Sequence, residues 1–549
     1  MKQCKLCNTG FPILPEDKAF YAMMQVPEPT LCYLCRMQRR LSFRSERFLY
    51  HRKCDLSGKQ IISSYSTDKP FPVYGDDEWW SDKWDPLSYG RDFDFDRPFF
   101  EQFLDLRNQV PRLNLIQQKP MENSAYCHTA GKCKNCYLCF SSNANEDCYF
   151  CTWINYSKNC VDCLSINVSE LCYECVGVRD CYNLQYSRDS VNCKNSAFLR
   201  NCNGCTDCFG CTNLVNKQYF IFNKPHTKKS YEAFMSQVDL GSHKVIQNMK
   251  AKFHEVVSDL VVKSFEGVNN QNSLGNYIRN NKNTFTCFEV DQCEDARYSM
   301  NLFRAKNSMD HSYWGDGTEN VYECQAVGYG SSNIRFSNLC TISSSDLTYC
   351  DHCFTSRNSF GCVGLKKNEY CILNKQYSKG DYEKLVPKII EHMRKTGEWG
   401  EFFPVSLSPY GYNKSLAYEQ MPLAKEQVLA LGWTWCDDDR EKNYKGPLVT
   451  VPDNIRDVQD DILSAILISE KSGIPYKLVP QELKFYRDHG IPIPRLTPNE
   501  RHWERLGQRN KRVMFDRQCA KCEQAVKTTY APDRPEIVYC EECYLKTVY

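Results

Sequence analysis

Eight cysteines fall into two sets whose spacing fits metal chemistry. Cys4 and Cys7 precede Cys32 and Cys35 near the start, and Cys519, Cys522, Cys540 and Cys543 repeat the pattern near the end. A C-x2-C turn aims two thiolates at one point, and two such turns complete the tetrahedral four-sulfur site that zinc favours. Two zinc ions are expected, one per set.

Displacing the sequence against itself by 465 residues shows that the ends are copies of one another. Pro15, Phe20, Tyr21 and Leu31 meet Pro480, Phe485, Tyr486 and Leu496, and Cys54 meets Cys519. Each end therefore carries a two-ribbon module. The losses are complementary: the second front ribbon reads Cys54, Ser57, Gly75, Glu78, and the first rear ribbon reads Ser469, Ser472, Thr497, Glu500. Neither residual set offers four zinc ligands, and both are expected to fold through packing alone.

Between the ribbons of the front module, Arg36, Arg39, Arg40, Arg44 and Arg47 recur at helical spacing, with Leu34, Met37, Leu41 and Phe48 on another face. The rear copy keeps Arg501, Arg505, Arg509 and Arg512 but has Glu504 at the remaining position. Guanidinium forks match phosphate, so these nine arginines are nucleic-acid contact candidates. A charged face paired with acidic neighbours is the competing reading.

The elements that hold these ends apart form a repeat. C-x2-C pairs at Cys136/Cys139, Cys148/Cys151, Cys160/Cys163 and Cys172/Cys175 follow one another every 12 residues, often behind Asn or Asp. A second stretch keeps the period with fewer thiols: Asn283, Asp295, Asn307, Asn320, Asn333, Asp346 and Asn358. FGC at Phe209 meets FGC at Phe360, at an offset of 151. Short strands joined by Asn-rich turns make a β-solenoid, since Asn and Asp tolerate left-handed dihedrals. The cysteines read most simply as a buried ladder, because the second lobe repeats without most of them. In a strand, C-x2-C side chains face opposite ways unless a bend intervenes. The spacing leaves open whether one unit or two complete a coil. Each lobe ends in an Asn-Lys turn and a helix near Tyr231 or Tyr382 that can cap the stack. A helix is expected over residues 240–266, a short one from Pro422 to Gly432, and another from Asp453 to about Ser469.

The expected fold is mixed but mainly β: duplicated β-solenoid lobes flanked by duplicated zinc-ribbon, treble-clef-like modules, with connecting helices. The boundaries read as 1–80 front module, 81–125 connector, 126–230 lobe 1, 231–270 helical linker, 271–381 lobe 2, 382–468 helical connector and 469–549 rear module. A total of 69 Lys and Arg against 67 Asp and Glu excludes a uniformly basic nucleic-acid coat. No apolar run reaches the roughly 18 residues of a membrane span, and MKQCKLC lacks a signal-peptide core. A cytoplasmic protein is expected.

With these motifs assembled, the chain resembles a family of cysteine-rich, zinc-ribbon-flanked proteins of unknown function common in candidate-phyla-radiation bacteria. The matching stretches are PTLCYLCRMQRRLSFRSERFLY, CDLSGKQIISSYSTDKP, WWSDKWDPLSYGRDFDFDRPFFEQF, GEWGEFFP and TYAPDRPEIVYCEECY. In that family a C-x2-C tends to precede the WWSDKWD run, where Gly75 and Glu78 stand here. The resemblance implies zinc binding.

No HExxH, Walker-type glycine loop or nucleophile elbow is present, so the expected function is a non-enzymatic zinc scaffold binding a macromolecular partner. RNA or a ribonucleoprotein is preferred through the arginine helices, with another protein as the substitute. A carbohydrate-active solenoid groove and thiol-based metal storage or redox buffering are the alternatives. Trp79, Trp80, Trp84, Asp82 and Asp85 form an acidic-aromatic patch, expected to pack the front module onto the first solenoid rung.

Overall fold

The computed structural model describes residues 1–437, 446–447 and 449–548. Tyr549, the last residue of the rear module as read from the sequence, lies outside them.

A backbone rule of three builds the solenoid. Asp147, Phe150, Trp153, Tyr156 and Asn159 have φ between 50° and 57°, and the pattern recurs through both lobes. Each left-handed residue turns the chain, so side chains three apart face the same way. Cys148, Cys151, Ile154, Ser157 and Cys160 are accordingly all buried inside the coil. The bend intervenes at every triplet, so both cysteines of each C-x2-C point inward. Four triplets close one coil of 12 residues: Lys134 pairs with Glu146, Glu146 with Lys158, and Lys158 with Glu170, all in parallel.

Left-handed backbone costs about 1–2 kcal/mol per non-glycine residue. Stacking offsets it. Lys158 N–H donates to Ser169 O and Asn159 N–H to Glu146 O, both at 3.0 Å, so each coil satisfies its neighbours' backbone. Corner asparagines add an amide ladder: Asn307 donates to Asn320, Asn320 to Asn333, and Asn333 to Asp346, at 3.4, 3.0 and 3.1 Å. A carboxylate, which only accepts, ends the run. Inside lobe 1, Cys139 Sγ donates to Cys148 O at 3.1 Å and Cys148 Sγ to Ser157 O at 3.5 Å. Such donation requires neutral thiols, and burial pushes Cys160 and Cys163 well above the ordinary range.

Lobe 1 runs from Gln117–Glu122 to Phe220–Ile221, and lobe 2 from Gly267–Val268 to Glu369–Ile372. Three lobe 2 coils are one residue longer, since Lys306, Glu319, Ser332 and Ser345 pair in succession. The offset between equivalent lobe positions is therefore 148 before these coils and 151 after them. Each stack ends when its last strand turns back antiparallel, Phe220–Ile221 on Lys224–Pro225 and Glu369–Ile372 on Lys375–Gln376. Helices Lys228–Met235 and Lys379–Thr396 follow, capped by Thr227 and Ser378 hydroxyls. Helix His243–Val257 lays Ile246, Met249 and Phe253 on Phe198 and Phe209 of lobe 1, and Lys425–Ala430 is the short connector helix.

The helix expected from Asp453 to Ser469 is corrected. The segment forms two 3-10 turns, Ile455–Asp457 and Asp460–Leu463, and a strand at Leu467–Ile468. Three-residue spacing serves a 3-10 turn as well as a helix, and Ile455, Val458 and Ile462 share a core with Tyr149 and Phe150 of lobe 1.

The chain ends cross. The front module and the connector after it pack Tyr21, Phe43, Trp79 and Phe103 with Tyr322, Phe336 and Tyr349 of lobe 2. The rear module packs Tyr476, Leu483 and Tyr486 with Tyr149, Val161 and Tyr173 of lobe 1. Between them, Trp153, Leu164 and Val176 of lobe 1 join Phe288, Met300 and Tyr313 of lobe 2. The acidic-aromatic patch belongs to this packing, against late coils of lobe 2 rather than the first rung. Trp79 and Trp84 are buried, Phe354 meets the Trp79 ring edge-on, and Lys366 Nζ lies 4.4 Å from the Trp84 ring centre.

Asn320, with φ of 56°, isolates the corner rule. Asn320→Val is expected to cost about 1–3 kcal/mol in urea denaturation of the full chain. Asn320→Gly, which loses the amide but accepts the dihedral, costs less. Equal losses would contradict the backbone account.

Candidate metal centres and the buried arginine rows

Each quartet combines a hairpin knuckle with a helix start. Cys4 and Cys7 sit on the turn between Lys2–Gln3 and Gly10–Phe11, where Asn8 takes φ of 60°. Cys32 precedes helix Tyr33–Leu41, and Cys35 lies in its first turn. At the rear, Cys519 and Cys522 occupy the turn between Phe515–Gln518 and Ala525–Thr528, with Cys543 in helix Glu541–Val548. The positive end of each helix favours thiolate charge.

The sulfur atoms of each quartet all lie within 4.8 Å of one another. Cys7 and Cys32 Sγ are 3.7 Å apart, and Cys522 and Cys540 Sγ 3.8 Å. The edge of a tetrahedron with metal–sulfur bonds of about 2.3 Å is about 3.8 Å, so both sets fit a divalent ion. The hydrogen bond from Cys35 pulls Cys32 down to about 5, and the same bond pushes Cys35 up. A central cation would let all four sulfurs of a quartet carry charge at this separation. Among the described residues, these two quartets are the clusters with metal-ligand geometry.

The residual ribbons are held by more than packing, which corrects the expectation for them. At the rear, Glu500 Oε2 accepts from Ser469 Oγ at 2.7 Å and from Thr497 N and Oγ1 at 2.8 Å. Burial pushes Glu500 upward, and bonds from Ser472 and Ser469 hold it below its ordinary value. At the front, a Ser57 hydrogen bond pulls Glu78 down. A Cβ on Gly75 would stand 2.7 Å from Glu78 Oε2, so the carboxylate fills the space of the missing cysteine. Glutamate replaces the fourth cysteine in both residual sets.

The arginine rows point inward, and their assignment as nucleic-acid contacts is corrected. Arg36, Arg39, Arg40 and Arg44 are at most 7% exposed, and Arg501, Arg505, Arg509 and Arg512 at most 8%. Arg36 Nε donates to Asp310 Oδ2 at 2.7 Å and Arg40 Nη1 to Asp310 Oδ1 at 3.0 Å. Arg39 bridges Glu323 and Glu401 at 2.6 and 2.7 Å. Arg44 pairs with Glu46 at 2.5 Å and donates to Ser141 at 2.7 Å. Arg47, half-buried, donates to Thr152 and Asn499. At the rear, Arg501 and Arg505 lie 3.2 and 3.0 Å from Asp162. Arg509 and Arg512 share Glu289 at 2.6 and 2.8 Å. Phosphate cannot reach the eight buried guanidinium groups closed in this way.

These contacts repeat with the internal duplication. Arg36 and Arg40 become Arg501 and Arg505 at an offset of 465, and their partners Asp310 and Asp162 differ by 148. Arg44 with Ser141 and Arg509 with Glu289 obey the same offsets. Each module thus touches both lobes through equivalent corners, all in left-handed conformation. The sequence signal was present: an acidic residue at a repeat corner flanked by apolar residues, as in Val161-Asp162-Cys163.

One further buried pair joins the connector to the rear helix. Glu419 Oε2 lies 3.3 Å from His502 Nε2. Burial raises Glu419 to about 7, with Arg47 and Arg512 opposing. Burial, with Arg47 and Arg505, holds His502 well below its ordinary value.

No family model matches the chain, and no curated protein does. Among solved structures, a crystal structure described as an acetyltransferase from Desulfovibrio desulfuricans G20 covers 48% of this chain and 70% of its own, at 8% identity and a TM-score of 0.11. That score lies below the range of a shared fold.

Glu419 gives a pH test. Its folded value is raised from 4.5 to about 7, so its stabilising contribution is full below about pH 4.5 and lost as pH rises through 7. Glu419→Gln removes this loss. The variant should gain about 3 kcal/mol on wild type between pH 4.5 and 8 in urea denaturation; a pH-independent difference would contradict the assignment.

Proposed function

We propose that this chain is a non-enzymatic, zinc-clasped scaffold that presents its solenoid to a macromolecular partner. The observation that carries the reading is the clustering of four sulfurs at both ends, all within 4.8 Å of one another, with one pair in each quartet at 3.7 or 3.8 Å. A closed four-sulfur zinc site supplies a structural cross-link rather than a reactive position. The residues around each site do the rest: the knuckle turns and helix starts orient the thiolates, and the arginine helix leading from Cys35 carries that anchor into the solenoid.

RNA or a ribonucleoprotein, if it is the partner, meets surfaces other than the arginine rows, whose charges are spent on Asp162, Glu289, Asp310 and Glu323. Thiol storage finds less support, because the solenoid thiols are spread along a hydrogen-bonded ladder instead of grouped. A reducing, cytoplasmic setting suits a chain whose cysteines are all unpaired. The reading agrees with the resemblance to the zinc-ribbon-flanked family.

Elemental analysis of the purified full chain tests it. Two tightly held zinc ions per chain are expected, one lost on Cys4→Ser with Cys35→Ser and the other on Cys519→Ser with Cys543→Ser. Many labile ions would favour storage, and none would overturn the scaffold. Crosslinking from native cells with and without ribonuclease identifies the partner class.

A further inference from the structure

Where the front module, both lobes and the connector meet, the structure encloses a cavity of about 20 Å3. Ser45 comes from the front module, His128 and Thr129 from lobe 1, Gln325, Asn338 and His352 from lobe 2, and Tyr410 from the connector. Gln325, Asn338 and Asp351 stack on successive coils of lobe 2.

Four polar atoms of lining residues lack a hydrogen-bond partner among the described residues: Ser45 Oγ, Gln325 Nε2, Asn338 Oδ1 and His352 Nε2. Their residues are between 2% and 5% exposed. Leaving such groups unmet costs about 1–3 kcal/mol each, and the surrounding bonds fix what each one needs. His352 Nδ1 lies 2.7 Å from Asp351 Oδ1. Arg112 Nη1 also faces Nδ1, but at 3.4 Å against 2.7 Å for the carboxylate; a carboxylate only accepts, so the shorter contact places the proton on Nδ1 and leaves Nε2 a lone pair. Asn338 Nδ2 donates to the same Asp351 oxygen at 2.8 Å, which orients the amide and leaves Oδ1 as an acceptor. Gln325 Nε2 donates, and Ser45 Oγ does either.

We propose that this cavity is a binding site for a buried water molecule that joins the front module to lobe 2 beside lobe 1. Water alone matches the chemistry. It donates to His352 Nε2 and Asn338 Oδ1 while accepting from Gln325 Nε2 and Ser45 Oγ, four bonds in all. A cation meets the Gln325 amide hydrogens, with Arg44 lining the cavity and Arg112 on the far side of His352. An anion meets two lone pairs backed by Asp351. The volume agrees, since a water needs about 10–15 Å3 on this measure and two to four polar partners. The four bonds tie Ser45 of the front module to three successive coils of lobe 2.

High-resolution diffraction from crystals of the unmodified full chain tests this directly. The expected result is one density peak at about 2.7–3.2 Å from His352 Nε2, Asn338 Oδ1 and Gln325 Nε2. A peak at about 2.0–2.1 Å from His352 Nε2 would mark a metal instead, and absence of density would overturn the site. In solution, oxygen-17 relaxation dispersion counts long-lived internal waters. Gln325→Leu should lower that count by one, and an unchanged count with the fold intact would also overturn the proposal.

Discussion

A carboxylate buried at a solenoid corner is the constraint on which this architecture depends. Asp162 and Asp310 are both fully buried, and an ionised carboxylate in such a place is strongly destabilising unless cations close over it. Each receives two arginines from a ribbon module that lies far away in sequence. The front module must therefore sit on lobe 2 and the rear module on lobe 1, and the ends of the chain cross. Docking by apolar contact alone would tolerate a slip by one coil. A charge at a single corner does not.

The solenoid makes such corners available because it repeats every three residues. One residue in each triplet points inward, one outward, and one takes the left-handed turn. Cysteine suits the inward position: it is small, mildly polar, and its S–H reaches a carbonyl of the next coil. The same residue type thus serves two chemistries in one chain. In lobe 1 it is a thiol in a hydrogen-bonded ladder; at the ends it is grouped in fours whose spacing could hold a metal ion.

Much of this is legible in the sequence, and the unread part has physical causes. The quartets, the duplicated ends, the two lobes and their capping turns follow from spacing alone. The triplet was visible as well, since every cysteine from Cys127 to Cys211 stands a multiple of three from the next. Spacings of 12, 9 and 6 conceal it when the unit is taken as a strand with two alternating faces. The arginine rows carry the general lesson. Their spacing defines a helix face but not what faces it, because Asp162 and Asp310 approach only once both lobes have formed. Likewise, Glu78 and Glu500 read as lost metal ligands, whereas their carboxylates fill the ligand space and gather the surrounding hydroxyls.

The most direct measurement of the central claim is a double-mutant cycle on Arg36→Met and Asp310→Asn, read by urea unfolding of the full chain. The account predicts a coupling energy of about 1–3 kcal/mol, since each single change removes the same buried Arg36–Asp310 pair while Arg40 stays beside position 310 in every variant. Additive effects, with coupling below about 0.5 kcal/mol, would show that the corner carboxylates do not hold the modules in place.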